Sequence, residues 1–163
     1  PPIDILRVPQ DGISEWGVAE HTDYGLLTIL AQDDCGGLQV KMPGAVSGTK
    51  SDLDDIWHDV PAEPDVFVVN IGDMLDRLTL GRYRSTAHRV KNLSGRERMS
   101  YPFFIDPSWD ASVEPLPLDG TPPADDVSRR WDGTSLQAWT GTYGDYLTSK
   151  VSKVFPALFA TLK

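Results

Sequence analysis

One cysteine in 163 residues, Cys35, is too few for an internal disulfide, so the fold has to stand on an apolar core, and a reducing compartment suits it. Cationic side chains are also scarce: 15 Lys and Arg stand against 24 Asp and Glu, a formal net charge of −9. Such a chain is repelled at long range by phosphate backbones and anionic membrane surfaces. Neither nucleic acid nor membrane is expected as a partner, and an anionic ligand has to be met by locally placed cations. Missing too is any apolar run near the roughly 20 residues that span a bilayer, and the start shows no charged-then-apolar pattern of a secretory signal. The cytoplasm is the expected location. Pro1-Pro2-Ile3 carries no initiator methionine, the start expected of a processed or excised part of a longer chain.

With 40% hydrophobic and 24% charged residues, the composition is that of a folded globular protein rather than a disordered or fibrous one. The length suits one compact domain. Short β-type runs recur between turn residues: Ile3 to Val8, Leu26 to Ala31, Gly37 to Lys41, Val66 to Ile71, Thr86 to Val90 and Met99 to Ile105. Turn chemistry separates them, as in Asp34-Cys35-Gly36-Gly37 and Leu93-Ser94-Gly95. The pattern predicts an all-β sandwich or barrel with antiparallel connections. From Asp106 to Gly133 proline and charge replace periodicity, as expected of a long loop that serves as a lid, a binding loop or a linker. Beyond it, Leu147, Val151, Val154, Phe155, Leu158 and Leu162 fall on one helical stripe. Thr142-x-x-Asp145 reads as a capping box at the start of that helix, and Pro156 is expected to kink or break it.

The chemistry concentrates in Glu20-His21-Thr22-Asp23-Tyr24. His21 and Asp23 are two apart, so on a strand both side chains leave the same face and can share one ion. Ser85-Thr86-Ala87-His88-Arg89-Val90 supplies a second imidazole on another β-type segment. Two histidines and one carboxylate are the donor set of the non-haem iron(II) facial triad, which leaves open positions on the metal. Taken singly, each motif is more often a surface pair or a hydrogen-bonded structural histidine. Arg98 and Ser100 form a further i, i+2 pair, with Met99 facing the other way. A guanidinium fork and a hydroxyl on one strand face suit a carboxylate, and a surface arginine on an amphipathic strand is the equal alternative.

The stretch from Glu20-His21-Thr22-Asp23-Tyr24-Gly25-Leu26-Leu27-Thr28 through Gly37-Leu38-Gln39-Val40, Val68-Val69-Asn70-Ile71-Gly72-Asp73 and Tyr83-Arg84-Ser85-Thr86-Ala87-His88-Arg89-Val90 closely resembles the 2-oxoglutarate- and iron(II)-dependent dioxygenases. More narrowly, it is similar to the branch that contains isopenicillin N synthase. The resemblance implies a mainly β fold, a double-stranded β-helix (jelly roll, cupin-like), closed by a C-terminal α-helix. Residues 1–110 would form that core, and 111–163 a proline-rich loop and helix packed on the same domain. Family members usually carry a region of helices and strands before this core, and the chain is expected to start after it; Leu6-Arg7-Val8-Pro9-Gln10 matches the family's upstream co-substrate signature poorly.

By the same resemblance His21, Asp23 and His88 match the iron ligands, and Arg98 and Ser100 match the pair that holds the tail of 2-oxoglutarate. The implied cofactors are Fe(II), 2-oxoglutarate as co-substrate, dioxygen and ascorbate as reductant. The implied partner is a small organic substrate, to be hydroxylated, desaturated or cyclised, with Phe103 as an apolar contact. Two alternatives stay open: an isopenicillin N synthase-like oxidase that uses no 2-oxoglutarate, and a metal-binding domain without turnover. His58 is read as exposed. Asn70, Gly72 and Asp73 are read as a tight structural turn, and Thr22 and Tyr24 as pointing away from the metal.

Overall fold

A computed structural model describes residues 17–42 and 56–156. Its elements are β1 (Val18–His21), β2 (Leu27–Gln32), β3 (Leu38–Met42), β4 (Ile56–Asp59), β5 (Val68–Ile71), α1 (Asp73–Leu78), β6 (His88–Val90), β7 (Ser100–Ile105) and α2 (Tyr143–Val154), with one 3₁₀ turn at Val127–Arg129. Five expected strands appear as β2, β3, β5, β6 and β7, each within two residues of its expected start. The sixth, Ile3 to Val8, lies outside the described residues.

The chain divides into two compact units. One draws on the described parts of Pro1–Thr22, Ile29–Val69 and Thr86–Phe103, the other on Asp23–Thr28, Asn70–Ser85 and Phe104–Lys163. The first unit carries a four-stranded sheet of order β1-β6-β3-β4, each pair antiparallel. His21 pairs with His88, His88 with Val40, and Val40 with His58, so one rung places three imidazoles on the same face. Leu38 and Val90 share that face.

The opposite face is polar and internally paired. The Arg89 guanidinium stacks 3.7 Å over the Trp57 ring and donates to Gln39 at 2.8 Å; Gln39 donates to Asp59 at 2.8 Å, and Lys41 to Glu20 at 2.9 Å. Because a slip of one residue would turn every side chain over, these cross-strand pairs fix the register that puts the histidines together. β4 eluded the sequence pattern since Ile56-Trp57-His58-Asp59 places two apolar residues side by side and then two polar ones, with no alternation. Its place is set by pairing to β3 rather than by burial, and His58 is exposed, as expected.

A second sheet has the order β5-β2-β7. In the second unit Met74, Val113, Leu136, Tyr143 and Tyr146 form the core cluster. The long loop is therefore built in rather than loose. It supplies Val113, and the segment just after it supplies Leu136; the buried Arg77 of α1 donates to the carbonyls of Val113 (3.0 Å), Leu136 (2.9 Å) and Gln137 (2.9 Å). Those carbonyls belong to segments without ladder partners, so the guanidinium supplies what a sheet would otherwise give. Arg130 adds a clamp, ion-paired to the fully buried Asp76 at 3.2 Å and to Asp125 at 2.8 Å.

Of the turn expected at Asn70, Gly72 and Asp73, Asn70 belongs to β5 and the other two open α1. Gly72 is its N-cap, and Asp73 and Asp76 in the first turn complement the helix dipole. Six residues are too few for a helical period to show in the sequence. α2 starts with the expected capping box, Thr142 and Asp145 bonding each other's backbone N–H. It ends at Val154, with Phe155 as C-cap ahead of Pro156. Of the expected stripe, Leu147 packs against the core and Val151 is half-buried, while Leu158 and Leu162 lie outside the described residues. Tyr143, Tyr146 and Lys150 are buried, whereas Val154 and Phe155 are exposed. The indole of Trp109 lies so close to Gly144 that a Cβ there would sit 2.5 Å from it, and that fit sets the helix rotation.

Tyr146, 1% exposed, donates its hydroxyl to Asp73 at 2.5 Å. Burial, and then the Asp73 charge, push the phenol far above its ordinary value of 10.0. Tyr146→Phe leaves a buried carboxylate short of a donor and is expected to lower stability to urea by about 1.5–3 kcal/mol at neutral pH. Above about pH 10 the unfolded phenol loses its proton while the folded one keeps it, so wild-type stability falls as pH rises. The gap between wild type and variant should therefore shrink between about pH 10 and 11. A gap that is constant across that range contradicts the assignment.

Candidate metal centre

His21 is the last residue of β1 and His88 the first of β6. Their rings lie with centroids 4.3 Å apart, tilted by 55°. The β1–β6 pairing is irregular between Val18 and His21, and such an irregularity re-aims a side chain near a strand end. Asp23 follows two residues after His21, beyond the end of the strand, and is only 7% exposed. One donor atom from each of His21, Asp23 and His88 lies within 4.8 Å of the others, so one ion can reach all three with small side-chain adjustments.

Both imidazoles are oriented by their own backbone. His21 Nδ1 lies 2.8 Å from the Ala19 carbonyl, and His88 Nδ1 lies 3.1 Å from the Thr86 carbonyl. A carbonyl only accepts, so each contact needs a proton on Nδ1, the tautomer in which a neutral imidazole coordinates a metal through Nε2. Fixing the tautomer in this way prepares a histidine as a metal ligand. The donor set thus fits a divalent first-row metal that takes imidazole and carboxylate together.

Asp23 is held at both ends. Its carbonyl accepts the Asp73 N–H at 2.8 Å, and its Oδ2 accepts from Thr28 Oγ1 at 2.5 Å and Asn70 Nδ2 at 2.8 Å. The sequence reading missed Thr28 and Asn70 as parts of the centre. The available signal was a polar residue interrupting each apolar run, Leu26-Leu27-Thr28-Ile29-Leu30 and Val68-Val69-Asn70-Ile71, because a buried polar group needs a partner. Tyr24 packs edge-on to Tyr146 at 6.4 Å.

Arg98 and Ser100 lie together, the guanidinium Nη1 donating to the Ser100 hydroxyl at 3.0 Å. Arg98 Nε donates to the Gly36 carbonyl at 2.7 Å and Nη2 to Gln32 at 3.1 Å. Gly36 sits at φ +69°, a left-handed turn that glycine adopts without strain, and this turn aims its carbonyl at the arginine. These bonds engage three of the five guanidinium N–H groups. Burial draws the Arg98 pKa down against the opposing charge of Asp33, yet an arginine in such a place stays cationic. Phe103, 66% exposed, leaves β7 on the face opposite Ser100 by strand alternation.

A family model described as the 2OG-Fe(II) oxygenase superfamily matches residues 5–107. Among curated proteins, a probable iron/ascorbate oxidoreductase of Dictyostelium discoideum is 49% identical over 148 residues, 88% of this chain and 37% of that protein. The 1-aminocyclopropane-1-carboxylate oxidase of the same organism is 44% identical over 146 residues, again 88% of this chain and 37% of the relative. The chain thus spans little more than a third of the length of these relatives. Among solved structures, a full-length Neurospora crassa protein in complex with alpha-KG and 5-formyluracil superposes with a TM-score of 0.61 at 30% identity, covering 85% of this chain and 40% of that one. With the antiparallel strands and the C-terminal helix, these likenesses bear out the expected fold class, a double-stranded β-helix of jelly-roll type.

Gly72 makes the geometry around Asp23 possible. A Cβ on it would lie 2.3 Å from the Gly25 carbonyl oxygen and 3.1 Å from that of Asp23, both backbone atoms with nowhere to retreat. Gly72→Ala is expected to lower stability by about 1–3 kcal/mol, as overpacking does, measured by urea unfolding. Unchanged stability would show that the segment has room to shift.

Proposed function

The chain belongs to the 2OG-Fe(II) oxygenase superfamily, and on that premise we propose that His21, Asp23 and His88 hold one iron(II) ion for the 2-oxoglutarate-dependent oxidation of a small organic molecule. The observation that carries this reading is the pair of Nδ1-anchored imidazoles whose donor atoms fall within 4.8 Å of each other and of the Asp23 carboxylate. When bound, the iron supplies dioxygen activation, with ascorbate keeping the metal reduced. Two imidazoles and one carboxylate would leave the ion open positions for co-substrate and dioxygen.

The chain's own residues do the rest. His21 and His88 would offer Nε2 to the ion, and Asp23 a carboxylate oxygen. Arg98, with the Ser100 hydroxyl beside it, receives the far carboxylate of 2-oxoglutarate in two-point fashion, which sets the co-substrate's orientation. The overall conversion is substrate, 2-oxoglutarate and dioxygen to oxidised product, succinate and carbon dioxide. Hydroxylation, desaturation and ring closure all fit this stoichiometric class. The net charge of −9 favours a small-molecule substrate over nucleic acid or membrane, and the single cysteine favours the cytoplasm. Among the described residues no helix is long and apolar enough to cross a membrane.

A relative named for oxidising 1-aminocyclopropane-1-carboxylate, itself a carboxylate, favours a second reading. There Arg98 and Ser100 bind the carboxylate of the substrate, and 2-oxoglutarate is not consumed.

Addition of iron(II) and 2-oxoglutarate without oxygen is expected to give the visible charge-transfer band of the chelate. His88→Ala should abolish it, and Arg98→Ala should weaken 2-oxoglutarate binding about 10- to 100-fold, the value of a charge-assisted hydrogen bond. Admitting oxygen with a substrate should release succinate. Oxygen uptake without succinate contradicts the first reading in favour of the second. No band in the wild type, with Arg98→Ala indistinguishable from it, leaves a metal-binding domain without turnover.

A further inference from the structure

Three side chains meet at one carboxylate oxygen. Asp23 Oδ2 accepts a hydrogen bond from Thr28 Oγ1 at 2.5 Å and another from Asn70 Nδ2 at 2.8 Å. Thr28 lies on β2 and Asn70 on β5, neighbouring strands of one sheet, so the two donors approach from adjacent backbones with fixed spacing. Thr28 is the only fully buried residue of β2, and it is polar. A hydroxyl in that position is out of place unless its partner matters.

We infer that Thr28 and Asn70 are positioning residues that determine how Asp23 binds the metal: by occupying Oδ2 they assign Oδ1 to the ion and keep the carboxylate a one-point ligand. This inference rests on the metal site proposed above and deepens it. A carboxylate oxygen has two lone-pair directions, and two short hydrogen bonds use both. A metal seeking both oxygens would have to break one of those bonds in a buried place, where an abandoned donor is costly. Two-point binding by Asp23 would also occupy a fourth coordination position. Chelation of a co-substrate through two atoms and binding of dioxygen together require three open positions, so the restraint on Oδ2 preserves the one that dioxygen needs.

The arrangement is economical in charge as well. Both donors are neutral, so they orient the carboxylate without cancelling the negative charge that a divalent ion requires. A lysine or arginine in either place would compete with the metal electrostatically. The backbone adds to the restraint: the Asp73 N–H holds the Asp23 carbonyl at 2.8 Å, while Thr28 and Asn70 hold the carboxylate. Removal of such outer partners typically weakens a metal site about 10- to 100-fold.

Cobalt(II) serves as the probe, since its visible d–d absorption is weak in a six-coordinate site and strengthens as coordination number falls or symmetry changes. The full chain is titrated with Co(II) as wild type, Thr28→Val, Thr28→Ser and Asn70→Ala, with thermal unfolding of each metal-free protein measured alongside. Thr28→Val keeps the shape and loses the donor, whereas Thr28→Ser keeps the donor. Thr28→Val and Asn70→Ala are expected to bind Co(II) about 10- to 100-fold more weakly, with an altered visible spectrum, and Thr28→Ser to retain the wild-type affinity and spectrum. Wild-type affinity and spectrum in both Thr28→Val and Asn70→Ala would overturn the inference while leaving the metal site standing. So would weakening in Thr28→Ser equal to that in Thr28→Val, which would assign the effect to packing. A wild-type chain that binds no Co(II) would remove the metal site and the inference with it.

Discussion

A carboxylate that is 7% exposed has to be met by donors or by a cation, and much of the described structure follows from how Asp23 meets that demand. Its carbonyl needs the N–H of Asp73, so the chain has to turn into α1 directly after β5. That turn passes within a Cβ's distance of the Asp23 backbone, so only glycine fits at position 72. Asp73, once buried there, needs its own donor, and Tyr146 of α2 provides it. One buried charge thus accounts for a helix start, a glycine and the seating of the C-terminal helix.

The imidazoles depend on a different device. Their meeting is a matter of strand register, which the opposite face of the sheet supports: Lys41 of β3 reaches Glu20 of β1, Arg89 of β6 stacks on Trp57, and Gln39 bridges Arg89 to Asp59. Each pair on its own contributes only a few tenths of a kcal/mol to about 1 kcal/mol, yet a slipped strand would lose all of them together. The same face that carries the histidines also carries exposed His58, two strands from His88 along one rung.

The sequence made the strands and the donor set legible because both rest on short-range pattern: β-type runs bounded by turn residues for β2, β3, β5, β6 and β7, and the i, i+2 spacing of His21 with Asp23 and of Arg98 with Ser100. Elements set by tertiary context were not legible. β4 shows no alternation and is defined by its partner; α1 is too short to show a period; the buried face of α2 takes in Tyr143, Gly144 against Trp109, Tyr146 and Lys150 beside Leu147 of the apolar stripe. The loop from Asp106 to Gly133 lacks periodicity because Arg77 and Arg130 hold it through carbonyls and carboxylates, contacts that leave no regular mark in a sequence. Thr28 and Asn70 were visible as polar interruptions, but only geometry reveals that both reach the same oxygen.

The central claim is that His21, Asp23 and His88 bind one iron(II) ion through two imidazoles and a carboxylate. X-ray absorption at the iron edge of the iron(II)-loaded protein tests it most directly, because imidazole rings give a characteristic multiple-scattering signal. Two imidazoles and a remaining shell of oxygen donors are predicted for the wild type, falling to one imidazole in His88→Ala. An iron environment without imidazole scattering, or one unchanged by loss of His88, would contradict the account.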